Sequence, residues 1–216
     1  MELKGRIINV LGDSITEGVG ASCEANRFTD VLWREYELQK VNNYGISGSR
    51  IAKQHAMTNE RHERWFASRI EEMDPNADAV IVFGGTNDYG HGDAPLGSFE
   101  DRTVDTFYGA CHVLMQGLME KYVGKPVIIC TPLHRDEEND PHDERKVEVH
   151  PLHVYRSILM EVAQYYAMPV LDLYAVSGIQ PQNAVCREAL CPDGLHPNDA
   201  GHAIVARRMG EMLKML

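Results

Sequence analysis

The stretch RIINVLGDSITEGVG, residues 6–20, places a small polar pair, Asp13 and Ser14, directly after an apolar run. The run at 6–11 has the length and the apolar content of a strand that is buried on both faces in a parallel sheet. Glycines crowd the residues that follow, which is typical of a loop at the end of a strand. The stretch therefore predicts a buried strand whose carboxyl end presents a serine on a glycine-rich loop.

Strand-like and helix-like segments alternate along the rest of the chain. Further apolar runs of strand length cover 40–45, 78–85, 125–132 and 168–173. Helix-like stretches cover 27–40, 61–73, 98–122, 152–167 and 199–215. This alternation predicts one domain, residues 1–216, with an α/β fold in which helices cover both faces of a mostly parallel sheet. Ligands in such folds bind beyond the carboxyl ends of the strands.

Composition and charge exclude several classes of protein. The net charge of −11, with acidic and basic residues mixed along the chain, argues against a nucleic-acid partner. Because no apolar run reaches the length of a membrane span and no secretory leader is evident, we expect a cytoplasmic protein with no membrane partner. A removed signal segment would change that expectation. The five cysteines, Cys186 and Cys191 included, are expected to be free thiols. The oligomeric state is not indicated.

A serine becomes a nucleophile only when a base takes its proton and a carboxylate orients that base. The stretch CPDGLHPNDAGH, residues 191–202, supplies both groups, because Asp193 and His196 are three residues apart on one short loop. Ser14, His196 and Asp193 are therefore a candidate catalytic triad. The alternatives are structural: Ser14 can cap a helix with Glu17 as its capping-box partner, and Asp193 and His196 can be turn residues before the last helix.

Acyl transfer also needs hydrogen-bond donors for the developing oxyanion. Gly48, in NYGISGSR at 43–50, and Asn87, in GGTND at 84–88, follow predicted strands and can supply a backbone N–H and a side-chain amide. Gly45 competes with Gly48 as the backbone donor. Both Gly48 and Asn87 can also serve turns alone.

Four blocks of sequence together resemble the signature of the SGNH (GDSL) hydrolase superfamily of serine esterases and lipases. They are Gly12-Asp13-Ser14-Ile15, Gly48, Gly84-Gly85-Thr86-Asn87-Asp88 and Asp193-Gly194-Leu195-His196-Pro197. The third block, often G-x-N-D in the family, matches here in the register Gly85 to Asp88. The four blocks occur in the family's order and span 12–197.

The resemblance implies a flavodoxin-like, three-layer α/β/α sandwich with a five-stranded sheet in the order 2-1-3-4-5. It implies Ser14 as nucleophile, His196 as general base and then acid, and Asp193 as the residue that orients His196. The implied oxyanion donors are the backbone N–H groups of Ser14 and Gly48 and the side chain of Asn87. The implied mechanism uses no metal and no other cofactor.

Residues 134–153, HRDEENDPHDERKVEVHPLH, form a polar insertion after the fourth predicted strand, with seven acidic residues, three basic residues and four histidines. Long polar insertions at this position are commonly active-site lids, and we favour that interpretation. A divalent-metal site is the alternative, although no compact metal motif is present.

Five further residues near the strand ends are candidates to line a substrate pocket: Asp13, Arg50, Tyr89, His91 and Asp93. Each can equally be an ordinary loop residue. The sequence predicts a serine esterase acting on a small-molecule ester, with an acetyl group on a carbohydrate or another polar alcohol favoured over a long lipid. One alternative is a non-catalytic protein that binds a sugar or acyl ligand in the same cleft. Another is a metal-dependent hydrolase that uses the histidine-rich insertion.

Overall fold

The computed structural model describes residues 1–56, 64–139 and 150–216. Five strands form one sheet: β1 Ile7–Gly12, β2 Lys40–Gly45, β3 Ala79–Phe83, β4 Val127–Cys130 and β5 Val170–Leu171. The strand order is β2-β1-β3-β4-β5, and every neighbouring pair is parallel. The predicted fold class and strand order are confirmed.

Helices surround the sheet, several of them shorter than predicted. They are α1 Ser14–Glu17, α2 Phe28–Glu35, α3 Thr86–His91, α4 Phe107–Lys121, α5 Leu152–Tyr165, α6 Leu173–Val176, α7 Ala184–Leu190 and α8 Asp199–Met215. The helix predicted over 27–40 ends early, and Glu37 beyond it takes a left-handed φ of 50°. The one predicted over 98–122 begins late, where the Thr106 side chain accepts the N–H of Gly109 and caps α4. Within 61–73 the chain forms a 3₁₀ helix, Phe66–Glu72.

Alternate strand residues point to two separate apolar clusters. Val80 and Val82 of β3 pack into the cluster that contains α4 and α5. Ile81 and Phe83 of the same strand pack into the cluster that contains α2 and α8. Because side chains alternate between the faces of a strand, the two clusters lie on opposite faces of the sheet. The predicted three-layer arrangement is therefore present.

The carboxyl ends of three neighbouring strands, β2, β1 and β3, lie level with one another. Gly12 of β1 is in register with Gly45 of β2 and with Phe83 of β3. Helix α1 begins two residues after Gly12, and α3 begins three residues after Phe83. The loops that carry Ser14, Gly48 and Asn87 therefore meet at one edge of the sheet.

The polar insertion is described only at its two ends, because residues 140–149 lie outside the described ranges. Its first residues are packed against the fold: Asp136 donates its N–H to the carbonyl of Gly194, 2.7 Å away, and Glu138 is buried. The lid interpretation stays a prediction. In the described parts of the chain, every helix is too short or too polar to span a bilayer.

Candidate active site

Ser14 is the first residue of α1, and Asp13, not Ser14, caps that helix. The Asp13 carboxylate accepts the N–H of Ile15 at 3.0 Å. Glu17, the expected capping-box partner, instead accepts both the N–H and the hydroxyl of Ser47. The capping role considered for the Ser14 side chain is therefore filled by its neighbour, and the hydroxyl lies 3.0 Å from Nε2 of His196.

His196 and Asp193 meet on the loop that precedes α8. Nδ1 of His196 lies 2.7 Å from one carboxylate oxygen of Asp193. The other oxygen accepts the N–H groups of Leu195 at 2.8 Å and of His196 at 2.7 Å. Burial acts to raise the pKa of Asp193, but these N–H groups and the His196 ring outweigh it and hold the pKa below its ordinary value. The arrangement is a continuous hydrogen-bond chain from hydroxyl to imidazole to carboxylate.

Gly48 and Asn87 lie beside Ser14 at the same edge of the sheet. Gly48 has φ +75°, a conformation that glycine adopts without strain. Asn87, on α3, donates one amide hydrogen to the carbonyl of Ser49 at 3.0 Å, which leaves its second hydrogen for a ligand. As the first residue of α1, Ser14 has a backbone N–H without a partner inside its own helix. Ser14, Gly48 and Asn87 line one cavity.

His91 fixes the orientation of the Asn87 amide. Nη2 of Arg50 lies 2.5 Å from Nδ1 of His91, and Nε2 of His91 lies 3.0 Å from Oδ1 of Asn87. Because a guanidinium can only donate, Nδ1 is the acceptor and Nε2 carries the ring proton. That proton is donated to the Asn87 oxygen, so the NH₂ group of the amide is the end directed at the site.

A cavity of about 320 Å³ opens above the hydroxyl of Ser14. The predicted residues Ser14, Gly48, Asn87, His91 and His196 line it, together with Val19, Ser47, Arg135 and Leu195.

The other candidate pocket residues lie elsewhere. Tyr89 is buried in the core and donates its hydroxyl to the carbonyl of Glu137. Asp93 accepts the backbone N–H groups of His55 and Ala56. Arg50 is also buried and acts on the site through His91. Asp13 lies beneath Ser14, where it holds the first turn of α1.

A layer of buried charged residues lies under the site. Arg69 donates to the carbonyls of Tyr44 at 2.7 Å and Gly12 at 3.2 Å and to the hydroxyl of Ser49 at 3.1 Å. Burial lowers the pKa of Arg69 to about 10. Burial also raises the pKa of Asp13 to about 7, and nearby Asp88 raises it further, against the lowering effects of the Ile15 N–H and Arg69. Sequence reasoning missed Arg69, which no motif marks.

Asp88, beside Asn87, ties a second loop to α3. One of its carboxylate oxygens accepts the N–H of Ile51 at 3.0 Å, and the other accepts the N–H of Ala52 at 2.9 Å. The block at 84–88 therefore supplies both a possible oxyanion donor and an anchor for the loop after β2.

Among the described residues, the cysteines form no disulfide and no cluster of side chains is suited to bind a metal ion. Cys186 and Cys191 are separate free thiols, as predicted, and so are the other three cysteines. In residues 1–56, 64–139 and 150–216, His, Cys, Asp and Glu form no group of three suited to a metal ion.

A parallel sheet with a Ser–His–Asp hydrogen-bond chain and several N–H donors at its carboxyl edge has the arrangement typical of serine hydrolases. The chain belongs to the GDSL-like lipase/acylhydrolase family, whose family profile matches residues 10–204. The family predicted from the four sequence blocks is confirmed.

Solved structures share this fold over their whole length. One from Lactobacillus plantarum is 28% identical and superimposes with a TM-score of 0.82, covering 99% of this chain and 98% of its own. An acetyl xylan esterase is 20% identical with a TM-score of 0.65, covering 96% and 99%. A putative arylesterase from Agrobacterium tumefaciens is 18% identical with a TM-score of 0.66, covering 97% and 99%. At these lower identities the likeness shows the fold alone. No curated protein matches the chain.

Proposed function

We propose that this protein is a serine esterase that hydrolyses small acyl esters, acetyl esters of polar alcohols foremost, through Ser14, His196 and Asp193. The observation that carries the proposal is the hydrogen-bond chain itself: 3.0 Å from the Ser14 hydroxyl to Nε2 of His196 and 2.7 Å from Nδ1 to Asp193. Both distances are within reach for proton transfer and for orientation of the base. The Ser14 end of this hydrogen-bond chain faces a cavity that can hold a small ester.

In the proposed reaction the Ser14 oxygen attacks the ester carbonyl while Nε2 of His196 takes the hydroxyl proton. The carbonyl electrons move onto oxygen, and the Asp193 carboxylate stabilises the imidazolium that has formed. When the tetrahedral intermediate collapses, the bond to the alcohol breaks and His196 returns the proton to the leaving oxygen. Water then attacks the acyl-serine by the same steps, which releases the acid and restores Ser14.

The oxyanion receives hydrogen bonds from the Ser14 and Gly48 backbone N–H groups and from the free amide hydrogen of Asn87. Such donors contribute most when they are held in place before the reaction begins, because no reorganisation is then needed. Two contacts hold Asn87: its hydrogen bond to Ser49 and the one it accepts from His91. This preorganisation supports a catalytic rather than a purely structural role for the block at 84–88.

The cavity supports a small acyl group. Its volume of about 320 Å³ must accommodate the acyl group and part of the alcohol. Val19 and Leu195 are its two apolar side chains. A cavity of this volume has room for a short acyl group beside the alcohol, but not for a long chain as well.

The experiment is hydrolysis of 4-nitrophenyl acetate by the wild-type protein and by Ser14→Ala and His196→Ala variants. We expect both variants to lose nearly all turnover while they unfold as cooperatively as the wild type. Ser157→Ala is the matched control, because Ser157 is exposed on α5 and its hydroxyl donates to the carbonyl of His153. Retention of most activity by Ser14→Ala would refute the mechanism.

Two alternatives make different predictions. A binding protein on this fold would bind a sugar or acyl ligand, yet Ser14 would not react with a serine-directed organophosphate, whereas the proposed esterase is labelled stoichiometrically at that residue. A metal-dependent hydrolase would lose its activity to EDTA. We expect activity to survive thorough chelation.

A further inference from the structure

A second cavity adjoins the catalytic one and has a different lining. Its volume is about 390 Å³, and it shares Arg135 and Leu195 with the catalytic cavity. The rest of its wall is polar or small: Asp136, Glu137, Arg187, Asp193 and Gly194. A substrate seated at Ser14 can therefore extend past Arg135 and Leu195 into a polar space.

Arg135, at the junction of the two cavities, is clamped against α3. Its Nη1 donates to the carbonyl of Thr86 at 3.1 Å and to the Thr86 hydroxyl at 3.2 Å, and its guanidinium lies 5.1 Å from the ring centre of Tyr89. Gly90 makes room for it, since a Cβ there would lie 2.6 Å from Nη1. The guanidinium is thus held in one place by α3.

Arg135 forms no ion pair with a carboxylate of the described residues. Among the described residues, its side-chain hydrogen bonds all come from Nη1, and no carboxylate oxygen lies within ion-pair distance of it. Arg187 in the same cavity differs, because it is paired with Asp136. Of the three acids that line the second cavity, Asp136 is paired with Arg187 and Asp193 with His196, and Glu137 acts on Arg135 at longer range. Arg135 therefore presents N–H donors and a positive charge to the cavities.

The second cavity lies on the side where the alcohol leaves. His196 must return its proton to the leaving oxygen, so the alcohol portion of the ester has to lie beside the His196 ring. The second cavity is walled by Asp193, Gly194 and Leu195, which belong to the loop that carries His196. The acyl portion, by contrast, is bound at the carbonyl carbon near Gly48 and Asn87.

We infer that Arg135 and the second cavity form a subsite for the leaving alcohol, and that the preferred alcohol carries a carboxylate. A guanidinium binds a carboxylate through paired, charge-assisted hydrogen bonds, which fixes orientation as well as adding affinity. A local positive group is needed for such a ligand, because the chain as a whole carries −11 and repels anions. This inference rests on the proposed esterase function.

The test compares two acetate esters, 4-acetoxybenzoate, which carries a carboxylate on the alcohol, and phenyl acetate, which does not. The quantity measured is the ratio of their kcat/KM values, so any general loss of catalysis cancels. We expect Arg135→Gln to lower this ratio by about tenfold or more, the effect of one lost charge-assisted hydrogen bond. The loss should come mainly from weaker binding of the charged ester, seen as a higher Michaelis constant. Arg135→Lys should keep part of the preference.

Two further variants separate the effect of where the Arg135 guanidinium lies from the effect of the protein's overall charge. Gly90→Ala keeps Arg135 but places a methyl group 2.6 Å from Nη1, which must shift, so we expect the ratio to fall while phenyl acetate is still hydrolysed. This variant also decides the matter if Arg135→Gln fails to fold. Arg34→Gln removes the same charge from an exposed arginine on α2 that donates to the carbonyl of Ala25, and should leave the ratio unchanged.

An unchanged ratio in Arg135→Gln and Gly90→Ala, with Ser14-dependent hydrolysis of phenyl acetate intact, would overturn the inference and leave the proposed function standing. If neither ester is hydrolysed in a Ser14-dependent manner, the proposed function fails, and the assignment of the cavity to a leaving alcohol fails with it. Calorimetric titration of the Ser14→Ala protein with 4-hydroxybenzoate measures binding of the alcohol product without turnover. We expect binding that is lost in Ser14→Ala/Arg135→Gln.

Discussion

Replacing Asp193 by Asn tests how the base is held in the correct tautomer. The Asp193 carboxylate accepts Nδ1–H of His196 through one oxygen and two backbone N–H groups through the other. Asparagine can keep the oxygen that accepts the backbone groups, but its NH₂ group cannot accept Nδ1–H. The ring then favours the tautomer with its proton on Nε2, which faces Ser14, and only the disfavoured tautomer can take the hydroxyl proton.

The size of the effect follows from the exposure of the carboxylate. The pKa of Asp193 is held below its ordinary value, so the group is ionised at neutral pH and its bond to His196 is charge-assisted. Hydrogen bonds to charged groups contribute about 1.5–3 kcal/mol. The Asp193 side chain is 55% exposed, so water screens the interaction and the lower part of that range applies. A loss of about 2 kcal/mol corresponds to a fall of about 30-fold in kcat/KM.

The assay is steady-state hydrolysis of 4-nitrophenyl acetate by Asp193→Asn, measured beside Ser14→Ala. Asp105→Asn is the control, because Asp105 is exposed before α4 and lies outside both cavities. We expect Asp193→Asn to retain activity well above that of Ser14→Ala. An activity equal to that of the wild type would refute the orienting role of Asp193. A loss as complete as that of Ser14→Ala would refute the argument from solvent screening.

The remaining predictions concern the oxyanion donors and the buried layer. Asn87→Ala should lower kcat by about 10²–10³ with little change in KM, and an unchanged kcat would exclude the amide as a donor. His91→Phe should lower kcat by less than Asn87→Ala does, because the amide stays but loses the bond that orients it; equal losses would contradict this ranking. Asp13 has a native pKa of about 7 against 3.8 for an unperturbed aspartate, so the native protein keeps a proton that the unfolded chain loses, and stability falls as the pH rises through that window. This dependence lowers the free energy of unfolding by at most about 4 kcal/mol between pH 4 and pH 8, measured by urea denaturation, and Asp13→Asn should remove it. If the free energies of unfolding of the two proteins change in parallel with pH, Asp13 is ionised in the native state.

The sheet could be predicted because its strands are apolar on both faces and are separated by long amphipathic stretches. The short helices could not. Helices α1 and α6 have four residues each and α7 has seven, so they span at most two turns and show no usable periodicity. The boundaries of α2 and α4 were also misplaced, because a left-handed Glu37 and the cap at Thr106 decide them. These are single-residue events that a hydrophobic pattern does not reveal.

The site was predictable where a residue's chemistry and its place at a strand end pointed the same way. Ser14 lies directly after β1, and Asp193 and His196 were recognisable from their spacing on one loop, although only the tertiary fold brings that loop within hydrogen-bond distance of Ser14. Arg69 and Arg135 were missed because nothing in the sequence around them indicates where they lie in the fold. A buried arginine and an exposed one have the same sequence signature, and only tertiary packing tells them apart.

The two halves of the candidate site are held in place by different interactions. The loops after β1 and β2 are joined beneath the site by Arg69, and Asp88 ties the 51–52 backbone to α3, so Gly48 and Asn87 are held by buried bonds. Water competes poorly with such bonds, and the donors therefore stay aimed at one point. The base is held instead by bonds within its own exposed loop, between Asp193 and the backbone beside it. Changes in the buried layer should consequently disturb oxyanion binding and stability together, whereas changes at Asp193 should disturb proton transfer and leave stability nearly untouched.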